Sequence, residues 1–171
     1  SGTGKSTLLK RLKADFPEIQ ESVSHTTRGR RTDEKEGEDY YFVTVEQFKE
    51  MIKKDDFLEW AIVHGDYKGT TKKFVKEGID RGLCLLFDLD IQGTDAVKSY
   101  FGEDAIAIFI EPPSLGDLEA RLRKRGSESE ESISIRLENA RKEILRKNDY
   151  DYCVLNDDIN LAYDRLREII S

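Results

Sequence analysis

The sequence predicts an α/β fold with a parallel sheet, and three observations lead to this prediction. Strand-like segments alternate with helix-like segments along most of the 171 residues. The run Leu-Cys-Leu-Leu-Phe-Asp-Leu-Asp at 83–90 is apolar on both faces, as in a central parallel strand. A glycine-rich segment at the N-terminal end comes directly before an amphipathic helix-like segment. The length suits one domain with a sizeable hydrophobic core.

The glycine-rich segment, residues 1–7 (Ser-Gly-Thr-Gly-Lys-Ser-Thr), matches the end of the phosphate-binding motif G-x-x-x-x-G-K-[ST]. Glycines in this motif turn backbone N–H groups around a phosphate, and the positive end of the next helix faces the same anion. Lys5 can reach the β- and γ-phosphates of a nucleotide, and the Ser6 hydroxyl can bind Mg²⁺. The motif's first glycine and the strand that feeds such a loop would precede Ser1, so we expect both to lie outside the printed residues.

The other elements follow from periodicity, turn signals and cap signals. Residues 5–15 carry apolar side chains at helical spacing, and Pro17 ends that segment. Thr44 and Gln47 have capping-box spacing for a helix over about 45–54. Further helices are predicted over about 71–81, 115–125, 130–147 and 159–170, and strands over 21–24, 39–43, 57–64, 106–110 and 152–155. Residues 24–70 are strand-rich and interrupt the alternation, which indicates an inserted subdomain.

Composition limits the class of function. The net charge of -7 argues against non-specific binding to nucleic acid, which needs a basic surface. No apolar run approaches the roughly 18 residues of a membrane span, and no signal-peptide pattern is present, so we expect a cytoplasmic protein without membrane partners. Cys84 and Cys153 each lie in an apolar run. This placement predicts two reduced, buried thiols rather than a disulfide or a metal site.

The strand-rich segment contains residues suited to binding a nucleotide's phosphate and base. Arg28 and Arg31 lie three positions apart in a basic loop and can present two guanidinium forks to one phosphate, with Tyr40 adding a hydroxyl donor. A solvated basic loop is the alternative interpretation of such an arginine-rich turn. Glu59 lies within an apolar strand, where an unpaired charge is costly, so a ligand is the favoured partner.

These segments together resemble the guanylate kinase family, phosphate-loop enzymes that transfer the γ-phosphate of ATP to GMP. The resemblance runs nearly from end to end, and besides residues 1–7 it rests on 22–28, 37–43, 57–60, 88–93, 112–114 and 125–132. It implies a P-loop NTPase core with a parallel sheet, an inserted strand-rich GMP-binding subdomain and a helical lid. The implied boundaries are 1–22, 71–118 and 147–171 for the core, 23–70 for the subdomain and 119–146 for the lid.

The resemblance also implies the substrates ATP and GMP, the cofactor Mg²⁺ and a set of site residues. The implied ATP-binding residues are Ser1, Gly2, Thr3, Gly4, Lys5, Ser6, Thr7 and Asn156. The implied GMP-binding residues are Ser24, Arg28, Arg31, Glu34, Tyr40, Glu59, Thr70, Asp88 and Asp90. The implied catalytic residues are Lys5, Arg28, Arg125 and Arg136, and the implied metal ligands are Ser6 and Asp90. For Asn156, a cap of the helix predicted from 159 is an equally good explanation.

Transfer between two anions requires cations on a mobile lid that excludes water, so that ATP is not simply hydrolysed. Arg125 and Arg136 flank the glycine- and serine-rich break at 126–132, where the family places its lid arginines. Arg121 is a weaker candidate for the same role. For each arginine, an ion pair with a nearby glutamate of the charged helices is the alternative.

The chain departs from the family pattern in the phosphate-clamping loop and at Lys68. Arg30 and Asp33 replace the usual proline and glycine, and Lys68 replaces a phosphate-contacting tyrosine, so we expect phosphate binding to survive in altered form. A rival interpretation is a catalytically inactive guanylate-kinase-like scaffold domain that binds phosphopeptides. Such domains degrade the phosphate loop, whereas the G-K-S run at 4–6 is intact here. A P-loop kinase of another small acceptor is a weaker rival, because it would not need the base-contacting residues.

Overall fold

The computed structural model describes residues 3–63, 65–125 and 129–171, with the side chain of Arg125 excepted. The helices are α1 Lys5–Asp15, α2 Val45–Lys53, α3 Lys72–Asp80, α4 Ile91–Phe101, α5 Leu115–Arg125, α6 Glu130–Leu145 and α7 Ile159–Ile170. The strands are β1 Ile19–Glu21, β2 Ser24–Thr26, β3 Tyr40–Phe42, β4 Phe57–Val63, β5 Asp66–Thr71, β6 Cys84–Leu86, β7 Ile108–Glu111 and β8 Tyr152–Leu155. Their contacts divide the chain into two compact units, residues 1–16 with 106–171 and residues 17–105.

The first unit is built around a parallel pair of strands, β7 and β8, in the register Ile108↔Tyr152. Helix α1 packs against α7, where the Arg11 guanidinium lies 4.1 Å from the centre of the Tyr163 ring. The Tyr163 hydroxyl also donates a hydrogen bond to Asp15 at 2.5 Å. Helices α5 and α6 pack around four buried apolar residues, Leu118, Leu122, Ile133 and Ala140.

The second unit contains a four-stranded sheet in the order β3-β2-β5-β4. Strand β2 is parallel to β3 and antiparallel to β5, and β4 is antiparallel to β5. Phe48 of α2 is fully buried and stacks on Phe57 of β4, with ring centres 4.3 Å apart. A separate parallel pair joins β1 to β6. The sequence's prediction of an α/β fold with parallel strands is confirmed.

Several elements have the predicted bounds because local signals determine them. Helix α1 ends at Asp15, two residues before Pro17, as predicted. The capping box of α2 is formed: the Gln47 N–H donates to the Thr44 hydroxyl at 3.1 Å and the Thr44 N–H donates to the Gln47 side chain at 2.8 Å. Helix α7 and strand β8 also have their predicted ranges.

Other elements differ from the prediction. The single strand predicted over 21–24 is two strands, β1 and β2, separated by Ser22 and Val23. His25 and Thr26, which follow the predicted strand, lie in β2. The polar strand β5 and helix α4 were not predicted. The strand predicted from the run at 83–90 is formed only over Cys84–Leu86.

The predicted burial of several side chains was also wrong. Cys84 and Cys153 are both exposed thiols. Each lies in a strand with one partner strand within the described ranges, so the sheet covers the strand from one side only. The apolar side chains of Ile79 in α3 and Leu161 in α7 are also exposed, at 48% and 71%. Among the described helices, none combines the length and the hydrophobicity that crossing a bilayer requires.

Candidate active site

The phosphate loop leads directly into α1, and Gly4 is the residue at which the backbone turns. Gly4 has φ +86° in the left-handed region, where glycine alone is unstrained, and it is the N-cap of α1. Its carbonyl accepts the first helical hydrogen bonds, from the N–H groups of Thr7 and Leu8 at 3.1 and 3.2 Å. Lys5 and Ser6 therefore occupy the first turn of α1, where unpaired N–H groups and the helix dipole attract an anion. Ser1 and Gly2 lie outside the described residues.

Asn156, the residue that follows β8, forms a hydrogen bond with the phosphate loop. The Asn156 side-chain amide donates to the Thr3 carbonyl at 2.5 Å, and both residues are buried. Gly4 passes so close that a side chain there would overlap the Asn156 amide nitrogen. Asn156 is not the cap of α7, because the Asp158 carboxylate accepts from the first N–H groups of that helix. The cap interpretation of Asn156 is therefore wrong.

The expected guanine-contacting residues of the second unit come from three adjacent strands of one sheet. Ser24 of β2 and Thr70 of β5 are buried, and their hydroxyl oxygens lie 3.4 Å apart. Glu59 of β4 is directly opposite Thr70 in the strand register. Gly69, next to Thr70, has no room for a side chain, because a Cβ would lie 2.7 Å from the Glu59 carbonyl oxygen. The sheet thus places two hydroxyls and a carboxylate side by side.

Glu59 is a half-buried carboxyl in an environment that favours its neutral form. Burial raises the pKa of Glu59, and the negative charge of Asp90 adds to this effect, whereas hydrogen bonds from Thr70 oppose it. The ionised Glu59 carboxylate in this environment is therefore stabilised when hydrogen-bond donors approach it. The N1–H and N2–H₂ groups of guanine are such donors.

The Arg28 side chain forms a two-pronged ion pair with Glu34. The Arg28 Nη2 and Nη1 atoms lie 2.5 and 3.1 Å from the two carboxylate oxygens of Glu34, and the Arg31 main-chain N–H donates to the same carboxylate at 2.8 Å. The hydrogen bond from Arg28 lowers the pKa of Glu34, so Glu34 stays charged. The Arg31 side chain, by contrast, is exposed. Arg28 is therefore oriented by Glu34, while Arg31 contributes its backbone to the same cluster.

Two cations lie near the ring of Tyr40. The Arg28 guanidinium carbon is 5.4 Å and the Lys68 ammonium nitrogen 5.1 Å from the ring centre. Lys68 lies on β5, two residues before Thr70 on the same strand. The sequence marked Lys68 only as a departure from the family pattern, and the structure places it in the same cluster as Arg28 and Tyr40. Lys68 is separated from Thr70 by Gly69 alone, and this spacing is the sequence signal that could have predicted that Lys68 lies near the candidate site.

The two aspartates after β6, Asp88 and Asp90, are both exposed. Asp90 is the N-cap of α4, and its Oδ1 accepts from the Gly93 N–H at 2.8 Å. The described residues contain no group of three or more His, Cys, Asp or Glu side chains suited to a metal ion. In the first unit, Ser6 lies in the first turn of α1, and its hydroxyl suits Mg²⁺ if nucleotide phosphates and water supply the other ligands.

The expected lid corresponds to helices α5 and α6. Arg136 lies on α6 and is half-buried, while the side chain of Arg125 lies outside the described part of the chain, as do residues 126–128 of the predicted break. Arg121 of α5 donates from Nη2 to the Asn156 carbonyl at 3.2 Å. Its guanidinium therefore contacts the residue that bonds to the phosphate loop. Arg123 instead pairs with two glutamates of the helices, as the alternative interpretation expected for arginines in this region.

Comparisons with known proteins agree on one family. A family model described as guanylate kinase matches residues 1–171. The chain is 46% identical over 170 residues to the guanylate kinase of Maricaulis maris (strain MCS10), covering 99% of this chain and 78% of the relative. It is 42% identical over 170 residues to that of Rhizobium meliloti (strain 1021), with the same coverage.

A structural comparison leads to the same family. The crystal structure of guanylate kinase from Anaplasma phagocytophilum matches with a TM-score of 0.76 and 35% identity, covering 96% of this chain and 79% of that one. The fold, the G-K-S run at 4–6 and these similarities have a single interpretation. The chain belongs to the guanylate kinase family.

Proposed function

We propose that this protein transfers the γ-phosphoryl group of ATP to GMP, giving ADP and GDP. The observation that carries the proposal is a sheet that brings Ser24, Glu59 and Thr70 together, followed in the loop after β2 by an arginine, Arg28, that Glu34 orients. Ser24, Glu59 and Thr70 present the acceptors and donors that a guanine edge requires. Arg28 lies in the loop after β2, two residues beyond the end of the strand that carries Ser24. We propose a cytoplasmic location, where both substrates are available.

Binding of GMP would use groups of the second unit. The Glu59 carboxylate would accept from the N1–H and N2–H₂ groups, and the hydroxyls of Ser24 and Thr70 would serve O6. Arg28, Arg31 and Tyr40 would hold the phosphate, and Lys68 would add a charge from β5. Glu34 would keep Arg28 in position by its two-pronged pair.

Phosphoryl transfer would depend mostly on positioning and on neutralising charge. Backbone N–H groups of the phosphate loop and the Lys5 ammonium would hold the β- and γ-phosphates of ATP. Arg125 and Arg136 would close over the reacting groups with the lid and exclude water. The phosphate of GMP is already an anionic nucleophile, so the side chains need only orient it.

When bound, Mg²⁺ would supply positive charge that offsets the negative charge of the ATP phosphates. Ser6, in the first turn of α1, would hold it, and Asp90 stays a candidate whose Oδ1 also caps α4. We retain the division into a core, a GMP-binding subdomain at 23–70 and a lid at 119–146 as part of this proposal.

The test is a coupled assay of ADP release with full-length protein, MgATP and, in turn, GMP, dGMP, AMP, CMP and UMP. Turnover with the guanine nucleotides alone would support the proposal. Tight GMP binding without turnover would indicate the inactive scaffold-type domain instead. Faster turnover with another acceptor would preserve the P-loop mechanism and refute the roles of the base-contacting residues.

Replacing Glu59 with glutamine is expected to weaken GMP binding on the order of 100-fold at neutral pH, because the charged acceptor of two hydrogen bonds is lost. The wild-type affinity should rise with pH through the raised pKa of Glu59, since the bound base requires the ionised carboxylate. The Glu59→Gln variant should lack this rise. Calorimetric titration with GMP at several pH values measures both effects.

Titration of the GMP phosphate affects the two proteins equally, so the difference between their pH profiles isolates Glu59. Parallel profiles displaced by a constant amount would show that Glu59 does not titrate on binding. Equal affinities at every pH would remove Glu59 from the guanine contacts.

A further inference from the structure

We infer that Asn156 is a positioning residue of the phosphate loop, and that its side-chain amide fixes the peptide plane between Thr3 and Gly4 so that the Gly4 N–H faces the bound phosphate. The inference rests on the proposed function for its ligand, ATP. It differs from the role expected from the sequence, in which Asn156 would contact the nucleotide itself.

The first argument is the direction of one hydrogen bond. Asn156 Nδ2 donates to the Thr3 carbonyl oxygen at 2.5 Å, between residues that are 3% and 8% exposed. In a planar trans peptide, the carbonyl and the following N–H point in opposite directions. A Thr3 carbonyl held toward Asn156 therefore turns the Gly4 N–H to the side of the loop opposite Asn156.

The second argument is that Asn156 is itself fixed. Its main-chain N–H donates to the Glu111 carbonyl at the end of β7, at 2.8 Å. Its carbonyl accepts from Arg121 Nη2 of α5 at 3.2 Å. One residue thus joins the ends of the parallel strands, the first helix of the expected lid and the loop. A side chain anchored at both main-chain groups can impose a direction on a flexible glycine-rich segment.

The third argument comes from the loop's own backbone. Gly4 has φ +86° and passes so close to Asn156 that no side chain fits between them. A left-handed glycine has few steric restraints on its neighbouring peptide planes, so an external hydrogen bond must select one orientation. The amide of Asn156 is the described polar side-chain group that donates to the loop at this position.

The test compares Asn156→Ala and Asn156→Asp with the matched control Asn160→Ala. Asn160 is an exposed asparagine that also bonds to α1, since its Oδ1 accepts from Arg11 Nη1 at 3.0 Å, but it lies away from the loop. The measurements are calorimetric affinities for MgATP and, separately, for GMP, with thermal unfolding as a check of folding. A ¹H–¹⁵N spectrum follows the Gly4 amide during titration with MgATP.

We expect both Asn156 variants to bind MgATP about 10-fold or more weakly, as loss of one well-placed hydrogen bond predicts. Their GMP affinity should be unchanged, because the GMP contacts lie in the other unit. The wild-type Gly4 amide should shift strongly when MgATP binds, and this shift should shrink in both variants. Asn160→Ala should behave like the wild type in every measurement.

Unchanged MgATP affinity in a folded Asn156 variant would overturn the inference, as would equal weakening of MgATP and GMP binding. If both variants fail to fold, the wild-type spectrum decides: a Gly4 amide that does not respond to MgATP contradicts the inference, and one that responds supports it. Failure of the proposed function is distinguishable, because it would appear as wild-type protein that binds MgATP but does not phosphorylate GMP.

Discussion

Replacing Lys5 with alanine is expected to lower kcat for GMP phosphorylation by about 100- to 1,000-fold, the cost of removing one preorganised charge-stabilising group. Lys5 is the first residue of α1, immediately after the left-handed Gly4, so we expect its ammonium and the helix N-terminus to act on the same anion. The coupled ADP-release assay at saturating ATP and GMP measures the loss.

Lys10→Ala is the matched control, because Lys10 is an exposed lysine on the same helix. It should retain wild-type kcat. A Lys5→Ala protein that is folded and as active as this control would exclude Lys5 from the transfer step. It would also weaken the assignment of the phosphate loop as the ATP site.

Replacing Arg28 with lysine is expected to raise the KM for GMP roughly 100-fold, because a lysine cannot reproduce a planar two-pronged contact. Arg28 is held by Glu34 through both terminal nitrogens, at 2.5 and 3.1 Å. A lysine would satisfy at most part of that pair and would leave the Glu34 carboxylate to compete with phosphate for its one ammonium. Steady-state kinetics with varied GMP measure the effect.

Arg30→Lys provides the control within the same loop, since Arg30 is exposed. Its KM for GMP should stay near the wild-type value. Unchanged KM in both variants, which keep the positive charge of the loop, would mean that the loop acts through its overall charge. In that case the specific geometry of Arg28 and Glu34 would have no role in GMP binding.

The sequence predicted the elements whose determinants are local. Helix α2 has its capping box at Thr44 and Gln47, and α1 ends just before Pro17, because a few neighbouring residues suffice to define these boundaries. Strand β5 was not predicted, because its residues are polar and include Gly69. It is stable as a strand because it pairs with β2 on one side and β4 on the other. Such pairing is a property of the whole sheet.

Helix α4 was missed for a different reason. Asp90 carries the signal of its N-cap, but an aspartate after an apolar strand also has the pattern of a ligand, and the sequence does not separate the two uses. The same ambiguity affected Asn156, which was compared with a cap of a helix three residues away. Its side chain instead bonds to Thr3, 153 positions earlier in the chain. Contacts over such separations follow only from the fold.

The residues of the candidate site were assigned to one site mainly because the sequence resembles guanylate kinases. Ser24, Glu59 and Thr70 are far apart in sequence, and no periodicity links them. The structure shows why they belong together, since they occupy neighbouring strands of one sheet. Their contacts with GMP remain predictions, as do those of Arg31 and Asp88.

An exposed tryptophan on β4 allows the second unit to be followed by intrinsic fluorescence. Trp60 is the chain's one tryptophan, and it follows Glu59 directly, so its indole projects from the opposite face of the strand. It is 44% exposed, and its ring centre lies 6.0 Å from that of Tyr67. Its fluorescence would therefore report rearrangement of the sheet on GMP binding without quenching by a stacked base. Stopped-flow emission could then time this step separately from phosphoryl transfer, with no attached dye.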